Sequence, residues 1–206
     1  MPTALVLGAY GFIGAACVRA LLDAGYDVRG LGRSKTLTRN AALGVEWIRA
    51  DMAALSQEEW ERHLIGTDLV VNAAGALQTG SRDDLEAVHV TAIERLCSAA
   101  PDGLRLIQIS AAGAAPDAPT EFFRSKARGD ALVRTLATEW VIFRPTLVIG
   151  PGAYGGTALL HGIAGFPGVG IRVFDDVPVQ TIALNELAEA VVACACLLYT
   201  SDAADE

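Results

Sequence analysis

The sequence predicts an α/β fold, a doubly wound parallel sheet with a small C-terminal lobe. Short apolar strands alternate with helical stretches as far as Phe143. A glycine triplet falls where the first strand meets the first helix. After Gly150 the texture changes to breaker-rich loops and shorter elements.

Leu5–Leu7 is a short apolar strand, and Ile13–Ala24 follows the glycines as a helix. Tyr26–Leu31 reads as the second strand, Val45–Arg49 as the third and Leu69–Val71 as the fourth. Helical patterns lie between them, at Gln57–Leu64 and Asp83–Ala100. Leu104–Ile109 is a fifth strand, Glu121–Leu136 a helix and Trp140–Phe143 a sixth strand. Strands this short and this apolar are buried on both faces, so helices cover both sides of a parallel sheet. Right-handed crossovers then give the doubly wound arrangement. Asn185–Ala193 reads as a capped helix start, with Asn185 as cap and acids in its first turn.

Composition closes several doors. With 206 residues, 52% hydrophobic and 19% charged, the chain has a substantial core and is not disordered. Sixteen bases against 24 acids argue against nucleic acid as a partner. No apolar run reaches the roughly 20 residues that span a bilayer, and no basic leader precedes Leu5. A cytoplasmic location follows, with membrane contact only through sequence beyond this piece. Cys17, Cys97, Cys194 and Cys196 are scattered and read as small buried hydrophobes in a reducing compartment. His63, His89 and His161 lack partners at ligand spacing, so no metal site is expected. Trp47, Trp60 and Trp140 read as core.

The strongest signal is Gly8-Ala9-Tyr10-Gly11-Phe12-Ile13-Gly14. Glycine serves a tight turn, backbone approach to a pyrophosphate and close packing of helix on sheet. The helix N-terminus then offers N–H groups to phosphates. The loop therefore points to a dinucleotide.

The GxxGxxG spacing resembles that of the extended and atypical short-chain dehydrogenases/reductases, over most of residues 1–195. That resemblance implies a Rossmann-like, NAD(P)(H)-binding domain over 1–150 and a partial substrate lobe over 151–195. Asp51-Met52 stands where the family contacts adenine, and Asn72-Ala73-Ala74-Gly75 resembles its segment after the fourth strand. Ser110 takes the family's serine position, and Arg144-Pro145 closes the sixth strand as in atypical members. The likeness is greatest to the branch with the nucleotide-binding accessory subunit of respiratory complex I. Within it stand bacterial proteins fused to a membrane-embedded DoxX-like domain. Gln180–Ala188 resembles that branch's return to the main domain.

The second strand ends in Leu31-Gly32-Arg33-Ser34-Lys35 rather than in an acid. Arg33, with Ser34 and Lys35 beside it, favours NADP(H) over NAD(H) through a 2′-phosphate, the alternative being a solvated basic loop. By the family pattern, a Tyr four residues before Lys126 should exchange the reacting proton, with Lys126 on the nicotinamide ribose. That position is Phe122. Two readings stay open: an oxidoreductase with protons from Tyr154, Tyr10 or water on Ser110, or a non-catalytic redox sensor or structural module. A small apolar molecule is the expected second ligand, because Ala158–Ile163 and the 165–170 loop are small and apolar.

Cys196–Glu206 resembles a translated sequencing-library adapter, since its first six residues can be encoded as TGT CTC TTA TAC ACA TCT. On that reading it is a non-native tail, and the natural sequence is truncated after Ala195. The alternative is an ordinary polar terminus.

Overall fold

The computed structural model describes residues 1–33, 44–78, 80, 84–151, 162, 165 and 179–202, with side chains as far as residue 196. The elements are β1 (Thr3–Leu7), α1 (Phe12–Asp23), β2 (Asp27–Gly32), β3 (Glu46–Arg49), α2 (Gln57–Leu64) and β4 (Leu69–Asn72). A π turn (Ala87–Thr91) then runs into α3 (Ala92–Ala99), followed by β5 (Arg105–Ile109), α4 (Glu121–Leu136) and β6 (Glu139–Phe143). Last come β7 (Leu147–Ile149), β8 (Thr181–Ala183) and α5 (Leu184–Asp202).

Strands β1 to β6 form one parallel sheet in the order β3-β2-β1-β4-β5-β6. Strand order reverses between β1 and β4, which opens a crevice at the C-terminal ends of those strands. Alternation along β1 shows how both faces are filled. Leu5 and Leu7 join Trp60, Leu64, Ile93, Leu96 and Val133, under α2, α3 and α4. Ala4 and Val6 join Cys17, Val18, Leu21 and Val191, under α1 and α5. The period of two thus divides one strand between two cores. Burial pushes the thiols of Cys17 and Cys97 up to about 12, so both behave as apolar side chains.

Local signals explain where helices begin. Ser56 caps α2 in a capping box, its Oγ accepting from Glu59 N–H while the Glu59 carboxylate accepts from Ser56 N–H. Thr120 caps α4 in the simpler way, its Oγ1 accepting from Phe123 N–H at 3.5 Å.

Several expectations need adjustment. Asn185, expected as the cap of the last helix, is its second residue, and Cys196, expected to be buried, is exposed. The helix expected over 83–100 contains the π turn, which changes the register of its side chains. Trp140, expected in the core, is 38% exposed because β6 is an edge strand, and Arg134 covers its ring at 5.9 Å. Helix α5 runs unbroken through Cys196 to Asp202, so the backbone does not mark the boundary expected after Ala195.

Strand β8 pairs in parallel with β7, and α5 returns to α1. Among the described residues, no helix is long and apolar enough to cross a membrane.

Candidate functional site

A cavity of about 460 Å3 lies at the C-terminal ends of the strands, over the crevice between β1 and β4. Its floor is the glycine loop. Gly8 has φ +69°, and a Cβ there would stand 2.9 Å from the Ala74 backbone. Gly14 lets α1 touch the turn, since a Cβ there would lie 2.2 Å from the Gly8 carbonyl oxygen. Gly11 occupies the cap of α1 without a side-chain hydrogen bond, and the first turn carries no acid. The helix end is therefore left to an outside acceptor, with its positive dipole end toward the cavity.

The residues expected at a dinucleotide divide into three groups. Gly8, Tyr10, Gly11, Phe12, Ile13, Arg33, Asp51, Met52, Ala73, Ala74, Gly75, Ser110 and Lys126 line this one cavity. Gly14, Asn72 and Pro145 stand behind the lining. Asn72 donates to Gln108 Oε1 at 2.8 Å and accepts from Ala74 N–H at 3.2 Å, so it shapes the loop after β4. Pro145 accepts from Ala112 N–H at 2.8 Å and ties β6 to the loop after β5. Ser34, Lys35 and Tyr154 lie outside the described residues, as does most of 158–170.

At the β2–β3 end, Arg33 Nη1 stands 3.8 Å from Asp51 Oδ2, both side chains 43% exposed. Asp51 is held in place by Ala53 N–H at 3.1 Å. The Tyr10 ring lies against Gly32 on the same side. Three strand spacings, about 14 Å, separate β2 from β5 and hence Tyr10 from the Ser110 end.

The β5–α4 end is a side-chain network. Lys126 is buried and donates to the Ile109 carbonyl at 3.0 Å. Burial brings its ammonium down to about 8, against the opposing pull of Asp130. Asp130 is fully buried, and its Oδ2 accepts from Ser110 Oγ at 2.9 Å and from Arg144 Nε and Nη2 at 3.0 and 2.8 Å. With its proton directed at Asp130, Ser110 presents lone pairs elsewhere.

His89 projects from the π turn beneath Gly75–Ala76. Its Nε2 accepts from Ala76 N–H at 3.1 Å, which leaves Nδ1 as the donor to Ser125 Oγ at 2.9 Å. Ser125 in turn donates to the Phe122 carbonyl at 3.0 Å. Burial, with Lys126 and Arg128 nearby, brings His89 down to about 3 and fixes it neutral. Phe122 lines the cavity and packs edge-on to His89, with ring centroids 5.8 Å apart.

Sequence reasoning missed His89 and Asp130 as parts of this site. Asp130 had a signal, one helical turn after Lys126 on the same face. His89 had none, because the π turn alters the spacing that would have placed it.

The sequence profile of the NAD dependent epimerase/dehydratase family matches residues 4–164. The chain belongs to that family. Among curated proteins, the mitochondrial NADH-ubiquinone oxidoreductase 40 kDa subunit of Neurospora crassa is 34% identical over 156 residues, covering 72% of this chain and 41% of that protein. The mitochondrial NADH dehydrogenase (ubiquinone) 1 alpha subcomplex subunit 9 of Dictyostelium discoideum is 29% identical over 156 residues, covering 71% and 42%. The chain thus spans about two fifths of the length of these relatives.

Solved structures share the fold. Thermus thermophilus UDP-glucose 4-epimerase in complex with NAD superposes with a TM-score of 0.72 at 22% identity, over 93% of this chain and 73% of that one. Bordetella bronchiseptica WbmH in complex with NAD+ gives 0.71 at 18%, over 94% and 72%.

Proposed function

We propose that the cavity binds NAD(P)(H), with NADP(H) favoured, in an oxidoreductase of the atypical short-chain dehydrogenase/reductase type. The carrying observation is the cradle formed by Gly8, Gly11 and Gly14, closed by Ala73–Ala74 and open at the uncapped start of α1. A pyrophosphate fits where side chains would intrude, and the helix start supplies its hydrogen bonds. Asp51 and Met52 would face the adenine, Arg33 a 2′-phosphate, and Lys126 the nicotinamide ribose. Ala73, Ala74 and Gly75 would form the wall between them. The cofactor, when bound, would supply hydride-transfer chemistry.

Family membership, the NAD-bound structures of the same fold and the curated relatives named as NADH–ubiquinone enzyme subunits support the dinucleotide part of this reading, while the preference for NADP(H) rests on Arg33 alone. We assign residues 151–195 to a partial substrate lobe and the return to the main domain, and keep a small apolar molecule as the second ligand.

Phe122 favours a second reading, binding without turnover. Its ring has no proton to give, Tyr10 stands about three strand spacings away, and Ser110 already donates to Asp130. NADPH fluorescence titration followed by a carbonyl and quinone panel separates the two. Turnover lost in Tyr154→Phe supports the enzyme, and binding with no turnover on any acceptor supports the sensor or structural module. Arg33→Ala should weaken NADPH about tenfold while leaving NADH nearly unchanged. Equal losses would rule out the NADP(H) preference.

A further inference from the structure

Lys126 is one of two lysines in the sequence, the other being Lys35. Its surface is only 5% exposed, yet it lines the cavity. Among the described residues its one hydrogen bond runs to the Ile109 carbonyl. Oδ2 of Asp130, one turn along α4, is engaged by Ser110 and Arg144. Phe122 stands where a phenol would share the amine, and its ring is turned to His89. The nearest imidazole nitrogen, His89 Nε2, is already accepting from Ala76 N–H. The cavity that Lys126 lines also includes the apolar Val88, Ile109, Leu147 and Val148.

An ammonium held dry, with no anion bonded to it among the described residues, is easily deprotonated, and the neutral amine is a nucleophile. We propose that Lys126 is a carbonyl-capturing amine, its Nζ condensing with small apolar aldehydes admitted to the cavity. The Nζ lone pair bonds to the carbonyl carbon and the C=O π pair moves to oxygen. Both hydrogens of the neutral amine then leave with that oxygen as water, giving an imine with no change of oxidation state. The proposal rests on the reading above only in that Lys126 faces the ligand cavity. Capture and the ribose contact exclude one another.

Among the described residues, the charged and titratable groups facing Lys126 are Asp130 on its own helix, Arg144 behind Asp130 and His89 from the π turn. His89 stays neutral above about 3. The pH dependence of capture therefore follows the amine.

The test uses the intact chain with benzaldehyde and sodium cyanoborohydride, which traps the imine as a benzylamine. Nα-acetyllysine in the same tube serves as an ordinary amine, and modified sites are mapped by mass spectrometry. At pH 7, Lys126 should be benzylated about a hundredfold faster than Nα-acetyllysine. Lowering the pH from 7 to 5 should slow its benzylation, as the amine takes up its proton. Benzylation no faster than that of Nα-acetyllysine overturns the proposal. NADPH binding is followed separately by fluorescence on unlabelled protein, so a failed cofactor site and a failed capture are told apart.

Discussion

The two ends of the cavity are built by different means. At the β1–α1 end the work falls to backbone, with Gly8, Gly11 and Gly14 packed within seven residues of chain. At the β5–α4 end it falls to side chains that meet across long separations. Ser110 reaches Asp130 over 20 residues, Arg144 reaches it over 14, and His89 reaches Ser125 over 36. A backbone cradle tolerates almost no added atom. A side-chain network has more room to adjust, since its members meet through side-chain contacts such as the edge-on packing of Phe122 on His89.

The largest expected effect lies in the network. The folded chain releases the Lys126 proton at about 8, whereas an unfolded lysine holds it to about 10.5. Between those values the unfolded state binds more protons, so this residue makes the fold more stable as pH rises. Urea unfolding of wild type and Lys126→Met at pH 7 and pH 10.5 should differ by a change in gap on the order of 3 kcal/mol, in favour of wild type at high pH. A gap that stays constant would mean that the amine is not desolvated, and the contrast between the two ends would fail.

The cradle should respond sterically, without dependence on pH. Gly14→Ala places a methyl 2.2 Å from the Gly8 oxygen, and the loop must move. A loss of about 1–3 kcal/mol in urea unfolding is expected, together with weaker NADPH binding by fluorescence. Unchanged binding would show that the loop is not the phosphate cradle. The smallest effect belongs to the exposed pair at the β2–β3 end. Asp51→Asn removes a carboxylate 3.8 Å from Arg33, a pair worth less than about 1 kcal/mol. The NADPH-to-NADH affinity ratio should rise by about twofold to fivefold. A fall would assign Asp51 a role in holding Arg33 ready.

The same contrast decides what was legible in the sequence. The strands, the order of elements and the glycine loop follow from local pattern, because each depends on neighbours in sequence. Lys126 and Ser110 were found through family spacing, and the structure places both on one cavity wall. His89 shows no partner at metal-ligand spacing in the sequence, and its hydrogen-bond partners, Ala76 and Ser125, lie 13 and 36 residues away. Those contacts depend on a π turn, which no periodicity announces. Trp140 was misplaced for a related reason, since an apolar strand does not reveal from its own residues that it will be the edge. The pairing of Arg33 with Asp51 was likewise hidden, because β2 and β3 come together only in the folded sheet.

Helix α5 closes over α1 through Val191 and Ala195, in the same core as Cys17 and Val18. The first helix is therefore clad by the last one described. On a ribosome adding roughly 5–20 residues per second, the glycine-loop helix would emerge on the order of 10–40 seconds before its outer cover. During that interval its apolar flank is open to chaperones and to other nascent chains. The order of synthesis thus makes the cradle the part of the molecule that waits longest for completion.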